Sequence, residues 1–378
     1  MKILGKGVVY DARLAPSHRR FCSFTSTLAL STGRILVTFR AGSSKDASDE
    51  NILIYSSDDK GKTWEAVFEG FDPVIEGIPG GWRAGALTEV SPGRLMGFFN
   101  WFDRSVPGRP LANPTTQGTL PSRLFVMESV DDGHSWMNRR EVNTKPFEGV
   151  AMADSILKLA TGALALPYEA WKAYDDPRPG QHHALLRLSH NGAHTFDAAI
   201  VVAHDPSNDL LFWDERLAVD PATRKIVALF WTHDRQAEQD RNIHMAWGSP
   251  EGGAWTSPED TDIAGQIAHP LIMAGGVVLM VYVHRHDPPS LRAILGKDLG
   301  RSWDRKGELV LYKSGAGSES GTRGKQEFGA YWMAMNRWNF GHPDACLLDD
   351  GDVFVAFYAG DVAGLSVHWV RLTELSRT

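Results

Sequence analysis

The chain carries the stretch Ser57-Asp58-Asp59-Lys60-Gly61-Lys62-Thr63-Trp64, and its pattern returns as Ser129-Val130-Asp131-Asp132-Gly133-His134-Ser135-Trp136. In this pattern an aspartate can accept the amides of a tight turn, a glycine takes a positive φ, and a tryptophan packs back over the hairpin. A third copy around Asp298 lacks the first serine, and a fourth around Asn191 has Asn and Phe for Asp and Trp. The copies indicate a repeated structural turn, the Asp-box. We do not expect these turns to form a catalytic site.

The spacing of these turns indicates units of four strands. The copies recur at intervals of about 50 to 70 residues, with a degenerate copy at 249–255, and repeats of this size are typical of propeller blades. A second pattern of two apolar strands around a turn occurs six times, at 28–37, 87–98, 156–166, 217–230, 270–281 and 345–357. The sequence therefore predicts an all-β fold, a six-bladed β-propeller of four-stranded antiparallel blades with Asp-box turns.

The same patterns predict one domain over residues 1–378, because no linker or low-complexity stretch interrupts them. We expect a strand at 6–10 to close the ring by pairing with 366–372 of the last blade. Cys22 and Cys346 lie on predicted inner strands of the first and last blades. Since two cysteines are too few for a disulfide framework, we expect two buried thiols, with a bridge as the alternative.

Composition and charge argue against several classes of binding partner and cofactor. The net charge is -7 and the basic residues form no long run, which argues against a nucleic-acid partner. No stretch of about 18 apolar residues occurs, so we expect no membrane span, and the first residues lack the apolar core of a signal peptide, so we expect a cytoplasmic protein. The histidines lack the spacing of a zinc protease and no cysteine cluster supports them, so we expect no catalytic metal and no cofactor.

A loop rich in carboxylates follows the first predicted hairpin. The segment 37–54 contains Asp46 and Asp49 shortly before an Ile-Leu-Ile strand. This segment resembles the one that carries the acid/base aspartate in the sialidase (neuraminidase) superfamily. The resemblance implies that Asp46 is the general acid/base, with Asp49 as the alternative or as a substrate contact.

The fourth predicted blade begins with Trp213-Asp214-Glu215-Arg216-Leu217-Ala218-Val219. This strand resembles the sialidase strand whose glutamate deprotonates a nucleophilic tyrosine, which implies that role for Glu215. A carboxylate in an apolar strand costs several kcal/mol unless it is paired, so an ion pair with Arg216 or Arg235 is the structural alternative.

Sialidases hold the substrate carboxylate with three arginines, because a planar guanidinium matches a carboxylate. By this resemblance Arg241 and Arg292 correspond to the second and third. The first position is Ser23 in this chain, and Arg83 of the second blade is the candidate to replace it.

The position of the nucleophilic tyrosine also departs from the family, because His342 stands there. That change puts true sialidase activity in doubt. Glu169 ends a strand of the third predicted blade, and together with Glu215 it resembles the two-carboxylate site of the related propeller exo-arabinanases. Aromatic residues at predicted loop tips fit sugar stacking, with core packing as the alternative: Trp82, Trp101, Trp171, Trp213 and Trp338.

These features predict an exo-acting glycoside hydrolase for an acidic or uncommon terminal sugar, with a glycan as its partner. Asp46, Glu169, Glu215 and His342 are the candidate catalytic residues. The candidate substrate contacts are Asp49, Arg83, Trp171, Arg241, His269 and Arg292, within a pocket expected also to contain Asp103, Asp154, His233, His284 and His286. The alternatives are a uronate-specific polysaccharide lyase and a carbohydrate-binding propeller without catalysis.

Overall fold

A computed structural model describes residues 1–315, 331 and 338–373. Strands dominate this part of the chain, as its β-branched and aromatic alternation predicts. In chain order they are β1 (Lys2–Tyr10), β2 (Phe21–Ala29), β3 (Ile35–Gly42), β4 (Asn51–Ser57), β5 (Glu65–Phe68), β6 (Val74–Ile75), β7 (Ile78–Ser91), β8 (Arg94–Asp103), β9 (Ser122–Ser129), β10 (Met137–Glu141), β11 (Val150–Met152), β12 (Leu157–Lys158), β13 (Leu164–Ala170), β14 (His183–Ser189), β15 (Ile200–Ala203), β16 (Leu210–Val219), β17 (Ile226–Asp234), β18 (Gln239–Asp240), β19 (Asn242–Gly248), β20 (Glu259–Ala264), β21 (Ala268–Met273), β22 (Val277–His284), β23 (Ser290–Lys297), β24 (Ser302–Trp303), β25 (Leu309–Lys313), β26 (Phe340–Leu347), β27 (Val353–Asp361) and β28 (Gly364–Thr373). Short 3-10 helices lie at Ser17–Arg19, Ala274–Gly276 and Arg305–Gly307.

The strands form antiparallel meanders in chain order. Four sheets contain β6–β10, β11–β15, β16–β20 and β21–β25. An eight-stranded sheet joins two further meanders, β26-β27-β28-β1 and β2-β3-β4-β5, through a parallel bridge between Phe21 and Leu365. The first strands of several neighbouring meanders are in contact, including β2 with β7, β16 with β21, β21 with β26 and β26 with β2. The all-β architecture is confirmed, and the closed ring of six blades stays a prediction.

The six predicted hairpins all form. They are β2–β3, β7–β8, β12–β13, β16–β17, β21–β22 and β26–β27. Strand β1 pairs antiparallel with β28, from Lys2 opposite Thr373 to Tyr10 opposite Val367, so the predicted pairing of the N-terminal strand is confirmed. Cys22 on β2 is a buried free thiol, as expected, whereas Cys346 on β26 is a free thiol that is only half-buried.

The repeated turn has one hydrogen-bond pattern in its two complete copies. In the second copy Asp131 accepts the Ser135 amide at 2.9 Å, and Ser129 Oγ accepts the Gly133 amide at 2.9 Å. The copy at 57–64 makes the same bonds. The two turns connect β4 to β5 and β9 to β10, the last strand of each meander, so they shape the outer edge of the sheet.

Gly133 has a φ of +92°, which strains any residue with a Cβ. An added Cβ would lie 3.7 Å from its nearest neighbour, on Val67, so the cost of Gly133→Ala is conformational and not steric. We expect Gly133→Ala to lower the free energy of unfolding by about 1–2 kcal/mol in urea denaturation. Gly253→Ala is the matched control, because Gly253 lies outside the left-handed region and an added Cβ meets nothing within 4 Å. Equal stabilities of the two variants would contradict the prediction.

Apolar side chains fill the space between neighbouring meanders. One cluster packs Trp82, Phe99 and Phe125 of the second meander against Ile52 and Ile54 of the first. Such packing between sheets fixes the first strands, whose ends form the site described below. Within the described ranges, no helix combines the length and the apolar character that crossing a membrane requires.

Candidate active site

A cavity of about 260 Å³ lies where the first strands of the meanders converge. Each meander contributes a lining residue from its first strand or that strand's edge: Phe24, Arg83, Met152, Asp214, Ile267 and His342. Aromatic side chains form much of the wall, namely Phe24, Phe102, Trp171, Trp213, Trp231, Trp338 and Tyr358. Three carboxylates also line it: Asp46, Glu169 and Asp214.

Asp214 lies at an irregularity in the pairing of β16 with β17, and its φ is +52°, a conformation that Asp tolerates better than most residues. Its side chain is 17% exposed and 3.9 Å from the Arg216 guanidinium. Burial, followed by the charge of Glu169, raises the pKa of Asp214 to about 7, although Arg216 opposes the shift. A substantial fraction of Asp214 therefore carries a proton at neutral pH.

Asp46 has the opposite electrostatic environment. Its Oδ1 accepts from Arg104 Nη2 at 2.7 Å and its Oδ2 from the Leu111 amide at 2.8 Å. Burial disfavours the charged form, but the Arg83 and Arg104 charges and these hydrogen bonds outweigh it and hold the pKa of Asp46 below its ordinary value. Asp46 is therefore ionised at neutral pH.

Glu50 lies behind this wall at the centre of an arginine cluster, which we define as Glu50, Arg40, Arg83 and Arg104. Glu50 is fully buried and accepts from Arg40 at 2.8 Å, from Arg83 at 2.9 Å and from Arg104 at 2.8 Å. Burial opposes its ionisation, yet the three guanidinium groups lower the pKa of Glu50. The cluster fixes Arg83 at the cavity edge and Arg104 against Asp46. Glu50 was not predicted from the sequence, because this residue follows Asp49 in an otherwise polar loop.

Glu169 and Glu215 are in contact, but they do not share the cavity. Glu169 Oε1 accepts the Glu215 amide at 2.7 Å, and its Oε2 lies 3.3 Å from His182 Nε2. Glu215 is 0% exposed and does not line the cavity. Successive residues of a strand face opposite sides, so Asp214 takes the place in the cavity that the sequence analysis gave to Glu215.

The Glu215 carboxylate is enclosed by protein. Within the described residues neither of its oxygens has a hydrogen bond of normal geometry, although the nearby Leu185 amide favours the ionised form. Burial and the charges of Glu169 and Asp154 raise the pKa of Glu215 well above its ordinary value. These effects favour the protonated form of Glu215, which disfavours the predicted role of a base.

His342 lines the cavity between cationic groups. Its Nδ1 lies 3.1 Å from Arg216 Nη2, and its ring centroid is 4.3 Å from that of Phe24. Burial, followed by the charges of Arg216 and Lys45, lowers the pKa of His342 well below its ordinary value. The imidazole is therefore neutral, and its Nδ1 accepts a hydrogen bond from Arg216, which can only donate.

Tyr358 lines the same wall and was not predicted from the sequence. Lys45 Nζ donates to Tyr358 Oη at 2.9 Å, and Gly341 lies opposite Tyr358 in the β26–β27 pairing. A Cβ at position 341 would lie 3.0 Å from Tyr358 Oη, so glycine there leaves room for the hydroxyl. Burial raises the pKa of Tyr358 to about 12. The only sequence signal for this residue is its place opposite that glycine.

Arg241 and Arg292 do not line the cavity. Arg241 Nη2 pairs with Asp234 at 2.5 Å, and Arg292 Nη1 pairs with Glu308 at 2.9 Å. Both follow the second strands of their meanders in the chain. The expected trio of substrate-binding arginines is therefore not assembled, and Arg83 alone of the three lines the cavity.

The other residues predicted to lie in the pocket also fall into two groups, those that line the cavity and those that do not. Trp171 lines the cavity, whereas Asp49 accepts the Ser43 amide at 3.0 Å in its own loop and does not line it. Trp82 and Trp101 belong to the core. The remaining candidates lie outside the cavity lining: Asp103, Asp154, His233, His269, His284 and His286.

Comparison with known proteins gives similarity of structure alone. No protein-family model and no curated protein sequence matches the chain. A protein of unknown function from Dyadobacter fermentans superimposes with a TM-score of 0.71 at 18% identity, over 98% of each chain. The intramolecular trans-sialidase of Ruminococcus gnavus, solved with oseltamivir carboxylate, gives 0.62 at 12% identity, over 99% of this chain and 98% of that one.

An α-L-arabinanase of Penicillium chrysogenum, solved with arabinobiose, gives a TM-score of 0.63 at 14% identity over 98% of each chain. Identities this low carry information about the fold and not about the reaction. They agree with the resemblance that the sequence segments around Asp46 and Glu215 indicated. The protein has a sialidase-like fold, shared with sialidases and an arabinanase.

Proposed function

We propose that this chain, as a single six-bladed propeller over residues 1–378, is an exo-acting glycoside hydrolase for an acidic or uncommon terminal sugar. The observation that carries the proposal is a pair of cavity carboxylates with oppositely shifted pKa values. The pKa of Asp214 is raised to about 7, and that of Asp46 is lowered. Paired carboxylates whose environments separate their pKa values in this way divide the acid and base roles of glycosidases.

In the proposed reaction Asp214, protonated, donates its proton to the oxygen of the leaving group. Asp46, ionised and held by Arg104, stabilises the positive charge that develops on the sugar ring. Asp46 then either takes a proton from the water that attacks the anomeric carbon, or bonds to that carbon itself in an intermediate that water hydrolyses. Glu169 keeps the proton on Asp214, because its charge raises the pKa of Asp214. The acid role thus belongs to Asp214 and not to Asp46, the residue that the sequence resemblance implied.

The walls of the cavity support a sugar ligand. Trp171, Trp213 and Trp338 offer aromatic faces for stacking, and Arg83 places positive charge at the edge, suited to an acidic group. A volume of about 260 Å³ lies below the roughly 300–1,000 Å³ of drug-sized sites, which favours a terminal residue over a long chain segment. The ligands named for the two enzymes of similar fold, a carboxylate and an arabinobiose, agree with this class.

A uronate-specific lyase is the second candidate, and the place of His342 and Arg83 in the cavity lining favours it. In this reaction the neutral imidazole of His342 abstracts a proton from a uronate ring after its Nδ1 separates from Arg216, while Arg83 neutralises the uronate carboxylate. The leaving group then departs by elimination, so an unsaturated sugar forms without addition of water.

A substrate screen separates the two candidates. Wild type and Asp214→Asn are assayed on an aryl sialoside, an aryl uronide and an aryl arabinofuranoside, and on uronate polymers by ultraviolet absorbance. We expect turnover of an aryl glycoside by the wild type and its loss in the variant. Absorbance of unsaturated products, lost in His342→Ala, would favour the lyase. Inactivity on every substrate would count against both.

A further inference from the structure

Next to the cavity, one imidazole and two carboxylates from three different meanders lie close together. Ile267 and His342 line the cavity, and His269 and Asp344 follow each of them by two residues. Asp154 comes directly after Ala153, which also lines the cavity, and completes the group.

The three side chains are close and almost completely buried. Asp154, His269 and Asp344 are 1%, 7% and 3% exposed, and one ligand atom from each lies within 4.8 Å of the others. His269 Nδ1 is 3.8 Å from Asp344 Oδ2. In the part of the chain that the structure describes, His269 Nδ1 has no hydrogen-bond partner. A buried imidazole nitrogen without a partner, facing two carboxylates, is a costly arrangement for a purely structural cluster.

Neighbouring groups orient both carboxylates. Asp154 Oδ2 accepts the Leu217 amide at 2.8 Å, and Asp344 Oδ1 accepts from Thr27 Oγ1 at 2.7 Å. These bonds leave Asp344 Oδ2 directed at His269. Carboxylates that ligate a metal are usually held in place by hydrogen bonds of this kind.

We propose that Asp154, His269 and Asp344 bind one divalent transition-metal cation, Zn²⁺ or Mn²⁺, with water completing the shell. An imidazole nitrogen beside two carboxylates suits these ions better than Ca²⁺ or Mg²⁺, which favour oxygen ligands. The cation balances the two buried carboxylates and links the first strands of three meanders below the cavity. Sequence analysis predicted no metal because the ligands follow no local spacing; only the fold assembles them.

The site is independent of the proposed reaction, because none of its ligands lines the cavity. Metal content therefore tests it without any activity assay. The full chain is purified without chelator, and its Zn and Mn are measured by plasma mass spectrometry. We expect about one equivalent of metal per chain. After chelator treatment, adding Zn²⁺ or Mn²⁺ should raise the Tm by at least about 3 °C.

His269→Ala and Asp344→Asn should lose the bound metal and the rise in Tm. His190→Ala is the matched control, because it removes a histidine paired with Asp197 at 3.2 Å on the exposed surface and should keep both. Should the ligand variants fail to fold, Co²⁺ added to chelator-treated wild type should produce visible absorption of an imidazole-bound ion. The proposal is overturned if treated wild type gains neither Tm nor Co²⁺ absorption, if only Ca²⁺ or Mg²⁺ binds, or if His190→Ala loses the metal equally.

Discussion

Asp214→Asn is expected to lower kcat/KM for the responsive aryl glycoside by about 10²- to 10⁴-fold, the usual contribution of a general acid. Asparagine keeps the shape of the side chain but has no proton to give to the leaving oxygen. Initial rates of the purified variant measure the effect, and thermal unfolding checks that the fold is kept. A loss smaller than about tenfold would remove Asp214 from the acid role.

The pH profile provides an independent test of the same residue. An acid works only while it is protonated, and the pKa of Asp214 is raised to about 7, so wild-type kcat/KM should fall as the pH rises above about 7. Asp214→Asn should lack this decline. An alkaline decline that persists unchanged in the variant would assign the proton to another group.

Glu215→Gln is the matched control from the adjacent position. Glu215 does not line the cavity, and its raised pKa favours the neutral carboxyl, so an isosteric neutral amide should change kcat/KM by no more than a few-fold. Equal losses in the two variants would instead support the role that the sequence resemblance implied for Glu215.

The fold could be predicted from the sequence because its signals are local. The turn around Asp131 and the glycine in five of the six first hairpins act over a few residues, so their spacing indicates repeated antiparallel units without any long-range information. The pairing of β1 with β28 was also predictable, because the first and last units of a closed repeat must meet.

The strands that form the candidate site could be predicted from the sequence. The side chains that face the cavity could be predicted only in part. The irregularity at Trp213 and Arg216 in the β16–β17 pairing decides which of Asp214 and Glu215 faces the cavity, and a one-residue change reverses the face. Arg241 and Arg292 looked suited to a substrate carboxylate, but they pair with acidic partners that only the fold brings near. Spacing along the chain therefore identifies the strand on which a candidate residue lies, but it does not identify the residue with which that side chain pairs.

Glu50→Gln is expected to lower the free energy of unfolding by about 3–5 kcal/mol, because it leaves buried guanidinium groups without their counter-charge. The carboxylate is 0% exposed, as is its partner Arg40, while Arg83 and Arg104 are nearly buried. Glutamine keeps the size of the side chain, so the measured loss reports on charge and hydrogen bonding, not on a cavity. Urea denaturation at neutral pH measures it.

The pH dependence of that loss distinguishes charge from packing. The pKa of Glu50 is lowered in the folded chain, so its ionised form stabilises the fold above the ordinary glutamate pKa, and this contribution is lost as the pH falls through the lowered folded value. The stability difference between wild type and Glu50→Gln should therefore shrink on acidification. Asp58→Asn is the control, because Asp58 pairs with Arg34 while 61% exposed and should cost about 0–1 kcal/mol. A Glu50→Gln loss no larger than that of Asp58→Asn would show that the arginine cluster does not depend on its central carboxylate, and Arg83 and Arg104 would then need another anchor beside the cavity.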